Sequence, residues 1–150
     1  MDDDRAILIG NEGGQHVIIR ALSRSRPEQT DYWDGNWIES EVRVAAGAFR
    51  GAYHLSLRSE EFADFSRQVA LLARSLSGTA RFSTMEEQLE LTLNGDGKGH
   101  VQVEGTAMDQ AGIGNVLHFS FELDQTYLLK ILRALEAVCS RFPVIGKPEA

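Results

Sequence analysis

From residue 37 the side chains alternate. Ile38, Ser40, Val42 and Val44 fall on one face and Trp37, Glu39, Glu41 and Arg43 on the other, the period of a half-buried strand. Two β-branched runs precede it, at 5–10 and 15–22, separated by Asn11-Glu-Gly-Gly14, and they read as a hairpin. Residues 48–58 alternate as well, with Phe49, Tyr53, Leu55 and Leu57 of one parity and Arg50, His54, Ser56 and Arg58 of the other, which makes a second hairpin. The period then changes from two to 3.6. Phe62, Phe65, Val69, Leu72, Ala73 and Leu76 form one apolar stripe, with Ser59 expected as N-cap, Glu60 and Glu61 complementing the first-turn dipole, and Gly78 expected to end the helix.

Strands resume at 79–84, 88–93, 100–107 and 116–123, the middle two joined by the turn Asn94-Gly-Asp-Gly-Lys-Gly99. A second helical stripe, Leu128, Ile131, Leu132, Leu135, Val138, Cys139 and Phe142, follows Asp124 as its expected cap and stops at Pro143. The order β-β-β-β-α-β-β-β-β-α predicts an α+β fold: mostly antiparallel β-sheet with two amphipathic helices packed on one face. The two halves hint at a duplication that their residues do not match well enough to support. The chain is expected to form a single domain over 1–150, with an ordered core at about 5–143 and a C-terminal tail at 144–150.

Composition narrows the function classes. Among 150 residues, 43% are hydrophobic and 25% charged, which excludes collagen-like and disulfide-scaffold classes and argues against disorder. The net charge of −7 disfavours nucleic acid and anionic membrane surfaces and favours a basic protein partner. One cysteine allows neither an internal disulfide nor a thiolate zinc site. The start Met-Asp-Asp-Asp-Arg is acidic where a signal peptide would be basic, and no apolar run is long enough to span a membrane, so a cytoplasmic location is expected.

Catalytic and metal signatures fail on inspection. Asn94, Asp96 and Gly99 match three positions of a calcium loop, but Lys98 and Gly105 stand where further ligands are needed. His54, His100 and His118 share the outward parity with several glutamates, a pattern that supplies a metal or acid/base site only if register brings them together. Cys139 lies on the apolar stripe and reads as core. No enzyme activity, cofactor or metal is therefore expected. The outward residues Trp37, Glu39, Glu41, Glu90, Glu104 and Glu122 form the candidate partner-binding surface, an aromatic anchor among carboxylates. Asp31, Trp33, Asp34 and Asn36 are expected to structure the turn before the strand at 37.

Asp34-Gly-Asn36-Trp37-Ile38 precedes an alternating strand, a helix beginning Ser59-Glu-Glu-Phe62-Ala-Asp-Phe65, and a late leucine-rich helix ending at Phe142-Pro143. Over roughly 31–143 this succession resembles the WapI-type immunity family, whose pattern has Asp-x-Asn-Trp-Leu before the strand and Phe-Pro near the C-terminus. Ile38 stands in place of the leucine. The resemblance implies a small bacterial cytosolic antidote that binds and blocks a cognate toxin. Two other classes stay open: a ligand-binding or hydrolytic domain using the outward histidines and glutamates, and an oligomerisation domain that buries Trp37 against a second copy.

Overall fold

The structure is a computed structural model and describes residues 3–149. The first four strands, β1 (Ala6–Gly10), β2 (His16–Arg24), β3 (Trp37–Ala46) and β4 (Phe49–Arg58), form an antiparallel sheet in that order. A one-turn helix α1 (Tyr32–Gly35) sits between β2 and β3. Helix α2 (Ser59–Ser75) follows, and β5 (Ser77–Phe82), β6 (Leu89–Asp96), β7 (His100–Met108) and β8 (Val116–Asp124) form a second antiparallel sheet. Helix α3 (Tyr127–Arg141) completes the fold. The predicted order of strands and long helices stands. The eight strands are divided into two sheets that share no ladder, and α1 is an addition the alternation did not signal.

Each half is four strands and a helix, and the halves are exchanged through their helices. Helix α2 packs on β5, the first strand of the other sheet, while α3 packs on β1, and the two helices also touch each other. The apolar parity of each strand points into one core shared by Ile19, Val42, Leu57, Phe62, Phe65, Phe82, Leu91, Val103, Phe121, Ile131 and Leu135. Burying each such side chain contributes about 1.5–3 kcal/mol before conformational entropy is subtracted, so the common core binds the two halves together.

The ends of α2 differ from expectation. Arg58, not Ser59, is the N-cap, because the side chain of Glu61 reaches back to accept from the Arg58 N–H at 2.8 Å. At the other end Leu76, not a glycine, adopts the left-handed conformation (φ 62°), its N–H donating to Leu72 O at 2.7 Å. Its side chain packs on the core, which offsets a strain that glycine would avoid.

Glu61 also accepts from the Met85 N–H at 2.7 Å and so ties α2 to the loop after β5. Burial pushes its carboxyl up to about 7, against the pull of the two backbone donors. The folded state therefore holds a proton between about pH 4.5 and 7 that the unfolded chain releases, and this contribution to stability is present below pH 4.5 and lost as pH rises to 7. Discounted for solvent access, the loss is about 2 kcal/mol. Urea midpoints measured from pH 4.5 to 8 should show it, and Glu61→Gln should flatten that slope; an unchanged slope would refute the assignment.

Candidate functional site

The turn that opens β3 is built around a buried arginine. Asp31 caps α1 by accepting from the Asp34 N–H at 3.1 Å, but a single helical turn leaves its carbonyls unpaired. Two arginines and an asparagine satisfy them. Arg58 donates to the carbonyls of Trp33 (2.9 Å) and Tyr32 (2.8 Å), and Arg24 to that of Gly35 (2.8 Å). Asn36 donates from Nδ2 to Tyr32 O at 2.9 Å.

Arg58 has the outward parity predicted for it, yet only 1% of it is exposed, because α1 folds over that end of the sheet. Its guanidinium lies 4.7 Å from the Trp37 ring centre, 5.3 Å from that of Tyr32 and 5.6 Å from that of Trp33, and it is ion-paired with Glu60. Burial, with Glu60 nearby, pushes the Tyr32 phenol up, against the pull of Arg58.

The C-terminal segment closes this knot. Asn36, fully buried, also donates from Nδ2 to Ile145 O (2.9 Å), and its Oδ1 accepts from the Ile145 N–H (3.0 Å). Arg24 reaches Pro143 O at 2.6 Å. Gly35 leaves room for this docking, since a Cβ there would stand 2.3 Å from Ile145 Cδ1. Ile145, the second residue of the segment expected as a C-terminal tail, is thus held by the turn; Ala150 lies outside the described residues. Asp34 instead faces solvent and pairs with Arg26 at 3.1 Å, and Trp33 is 52% exposed.

The six predicted partner-binding residues do not share one face. Trp37, Glu39 and Glu41 lie on the first sheet and Glu90, Glu104 and Glu122 on the second. The first three are internally engaged: Trp37 stacks on Arg58, Glu39 accepts from Ser25 Oγ (2.6 Å), and Glu41 pairs with Arg20 at 3.4 Å. On the second sheet Glu90 accepts from the Thr84 N–H at 2.7 Å, while Glu104 and Glu122 have no ion-pair or hydrogen-bond partner among the described residues. Register places Glu104 across from Thr92 and Ser120, and Glu122 across from Gln102, so this outer face is wholly polar there.

Glu90, Glu104, Thr106 and His118 line a shallow depression of 480 Å³ on the same face. The other histidines lie elsewhere. His54 is on the first sheet, and His100 sits by the 97–99 turn, 3.2 Å from Asp96 and six residues along β7 from the Thr106 that faces His118. At about 3.3 Å per residue that separation is roughly 20 Å. Register therefore does not bring the three histidines together, and no group of three metal-ligating side chains forms among the described residues. Cys139 packs against the core and burial pushes its thiol up, so it is a poor nucleophile.

A model of the family described as "Immunity protein WapI-like family" matches residues 7–143. The chain belongs to that family. The match begins before the stretch on which the sequence resemblance rests and includes β1 and β2. Within this immunity family member, Asp34-Gly-Asn36-Trp37 and Phe142-Pro143 are neighbours in space, joined by Asn36 and Arg24, and both serve the fold.

No curated protein matches the chain. Among solved structures it is similar to MRP1/MRP2 from trypanosoma bruciei (TM-score 0.47, 11% identity, covering 92% of this chain and 84% of that one). It is similar also to a chain of the CdiA-CT/CdiI toxin and immunity complex from Enterobacter cloacae (TM-score 0.43, 10% identity, 79% and 97%). A third is the siderocalin Ex-FABP (TM-score 0.26, 11% identity, 97% and 87%). At these scores none of the three bears on function.

Sequence reasoning missed Arg24, Arg58 and Ile145. Arg58 carried a misleading signal, its outward parity, and nothing local marks the partner of Asn36, which lies 109 residues away. Among the described residues no helix is long and apolar enough to cross a membrane.

Proposed function

We propose that the protein is a cytoplasmic, non-enzymatic immunity protein that neutralises a basic toxin domain by binding it. Family membership over residues 7–143 carries this reading. The net charge of −7 supports a basic partner through electrostatic attraction. The outer face of the second sheet is the better docking surface, because Glu104 and Glu122 are free to pair whereas Glu39 and Glu41 are already engaged.

The test is affinity capture of the tagged protein from its host lysate at low and high salt. A basic toxin-like domain retained at low salt and released as salt rises is expected, and co-expression should relieve the toxicity of that domain. Glu104→Gln and Glu122→Gln together should weaken the isolated complex about ten-fold or more while leaving the melting temperature unchanged. Unchanged affinity would remove this face from the interface. If no toxin-like protein is retained and a small molecule raises the melting temperature, the depression around His118 becomes a ligand site and the immunity reading fails.

A further inference from the structure

Helices α3 and α2 pack on β1 and β5, whereas among the described residues β4 touches α2 only slightly and β8, the other remaining edge strand, has no helix packed on it to a comparable extent. The hydrogen-bonding sense of β4 follows from its hairpin. The two-residue turn Gly47–Ala48, with Gly47 at φ 59°, makes Ala46 and Phe49 a bonded pair, so the odd residues of β4 bond to β3. The bond from the Ser59 N–H to Asn36 O, at 3.0 Å, continues the same alternation beyond the strand. The N–H and C=O groups of Arg50, Ala52 and His54 therefore point away from β3, and no other described element bonds to them. Residues 49–54 are exposed except for the half-buried Tyr53. An open edge of this kind, without proline or lysine, is a template for another strand.

What lies on either side of the edge specifies the occupant. On the core side a mainly apolar slot of 240 Å³ opens between the two sheets, lined by Val44, Phe49, Tyr53, Ala107, Val116 and Leu117, with Arg50, Asp109 and Asn115 also contributing. Phe49 there is 66% exposed. On the outer side a hollow of 440 Å³ lies over Gly51 and Ala52, rimmed by Arg43 and Arg50, with Glu12 and the tied-down His16 also lining it. Neither arginine makes an ion pair among the described residues. His54 stands opposite Glu41, whose carboxylate is taken by Arg20.

We infer that the edge of β4, from Phe49 to His54, receives an extended segment of a partner protein as a fifth strand of the first sheet, alternating apolar side chains into the slot with carboxylates toward Arg43 and Arg50. A residue opposite Ala52 bonds through its backbone and points to the outer face, where the small Ala52 leaves Arg43 within reach. Residues opposite Gly51 and Tyr53 point inward to the slot. The inference concerns a different sheet from the carboxylate face of the second sheet and holds whether or not the partner is a toxin.

The probe is a fluorescein-labelled peptide, Thr-Val-Asp-Val-Glu-Val-Thr, read by fluorescence anisotropy and by amide exchange at Arg50, Ala52 and His54. Binding should slow exchange at those three amides. Backbone N-methylation of the peptide, or lysine in place of its acidic residues, should weaken it about ten-fold. Arg50→Glu should do the same. Gly51→Leu fills the slot without strain, since a Cβ there meets nothing within 4 Å, and should also block binding while leaving the melting temperature intact. No binding, equal binding of the N-methylated or lysine peptide, or protection confined to β8 would overturn the inference. So would a dimer in sedimentation that Gly51→Leu converts to monomer, because the edge would then belong to a second copy.

Discussion

Arg58→Met lowers stability by about 3–5 kcal/mol, the range for breaking a buried ion pair from one side. The guanidinium is almost fully buried and donates to two carbonyls of α1, neither of which has a substitute donor nearby except Asn36 at Tyr32 O. Its loss leaves Glu60 without its ion-pair partner, and Glu60 Oε1 is already buried without a hydrogen bond. Three aromatic rings lose the cation they surround. For a chain of this size about 2–4 °C accompanies each kcal/mol, so the melting temperature should fall by roughly 10 °C. Adding Glu60→Gln should recover part of the loss, because the stranded charge goes with it. A fall of less than about 1 kcal/mol in urea unfolding would mean that Arg58 is not the centre of the knot.

Asn36→Ala is expected to cost about 2–4 kcal/mol, from three lost hydrogen bonds and the buried groups left unpaired. The effect should be spatially resolved. Ile145 loses both of its backbone partners on Asn36, so the C-terminal segment should detach in addition to the global loss. Hydrogen exchange at residues 144–146 should accelerate more than the change in global stability accounts for. If exchange there matches wild type while the urea midpoint falls, Asn36 supports the turn alone and the tail is held by Arg24 at Pro143.

The Asp-Gly-Asn-Trp turn that opens β3 thus marks a load borne by the fold. Trp37 resembled an interface anchor because it shares a parity with Glu39 and Glu41. In the folded chain its ring lies against Arg58, and those two glutamates already have partners in Ser25 and Arg20. Of the six predicted residues, only Glu104 and Glu122, on the opposite half, have no internal partner among the described residues. Alternation reports which side of a strand is buried by its own sheet, and it does not report what a neighbouring loop lays over the other side.

The sequence by itself determined the elements and their buried faces. Alternation located all eight strands to within a few residues, and the 3.6-residue stripes located α2 and α3, because burial against a core imposes those periods on any chain that forms one. Net charge was equally legible, since it is a sum over residue types. Only the tertiary structure decided that the strands divide into two sheets with exchanged helices, that Arg58 is interior, and that Asn36 holds Ile145. It also decided that β4 keeps an edge between a mainly apolar slot and two arginines that have no ion pair among the described residues. Each of these depends on contacts between segments far apart in the chain, and side-chain periodicity carries no record of which distant segment covers a face or pairs with an edge.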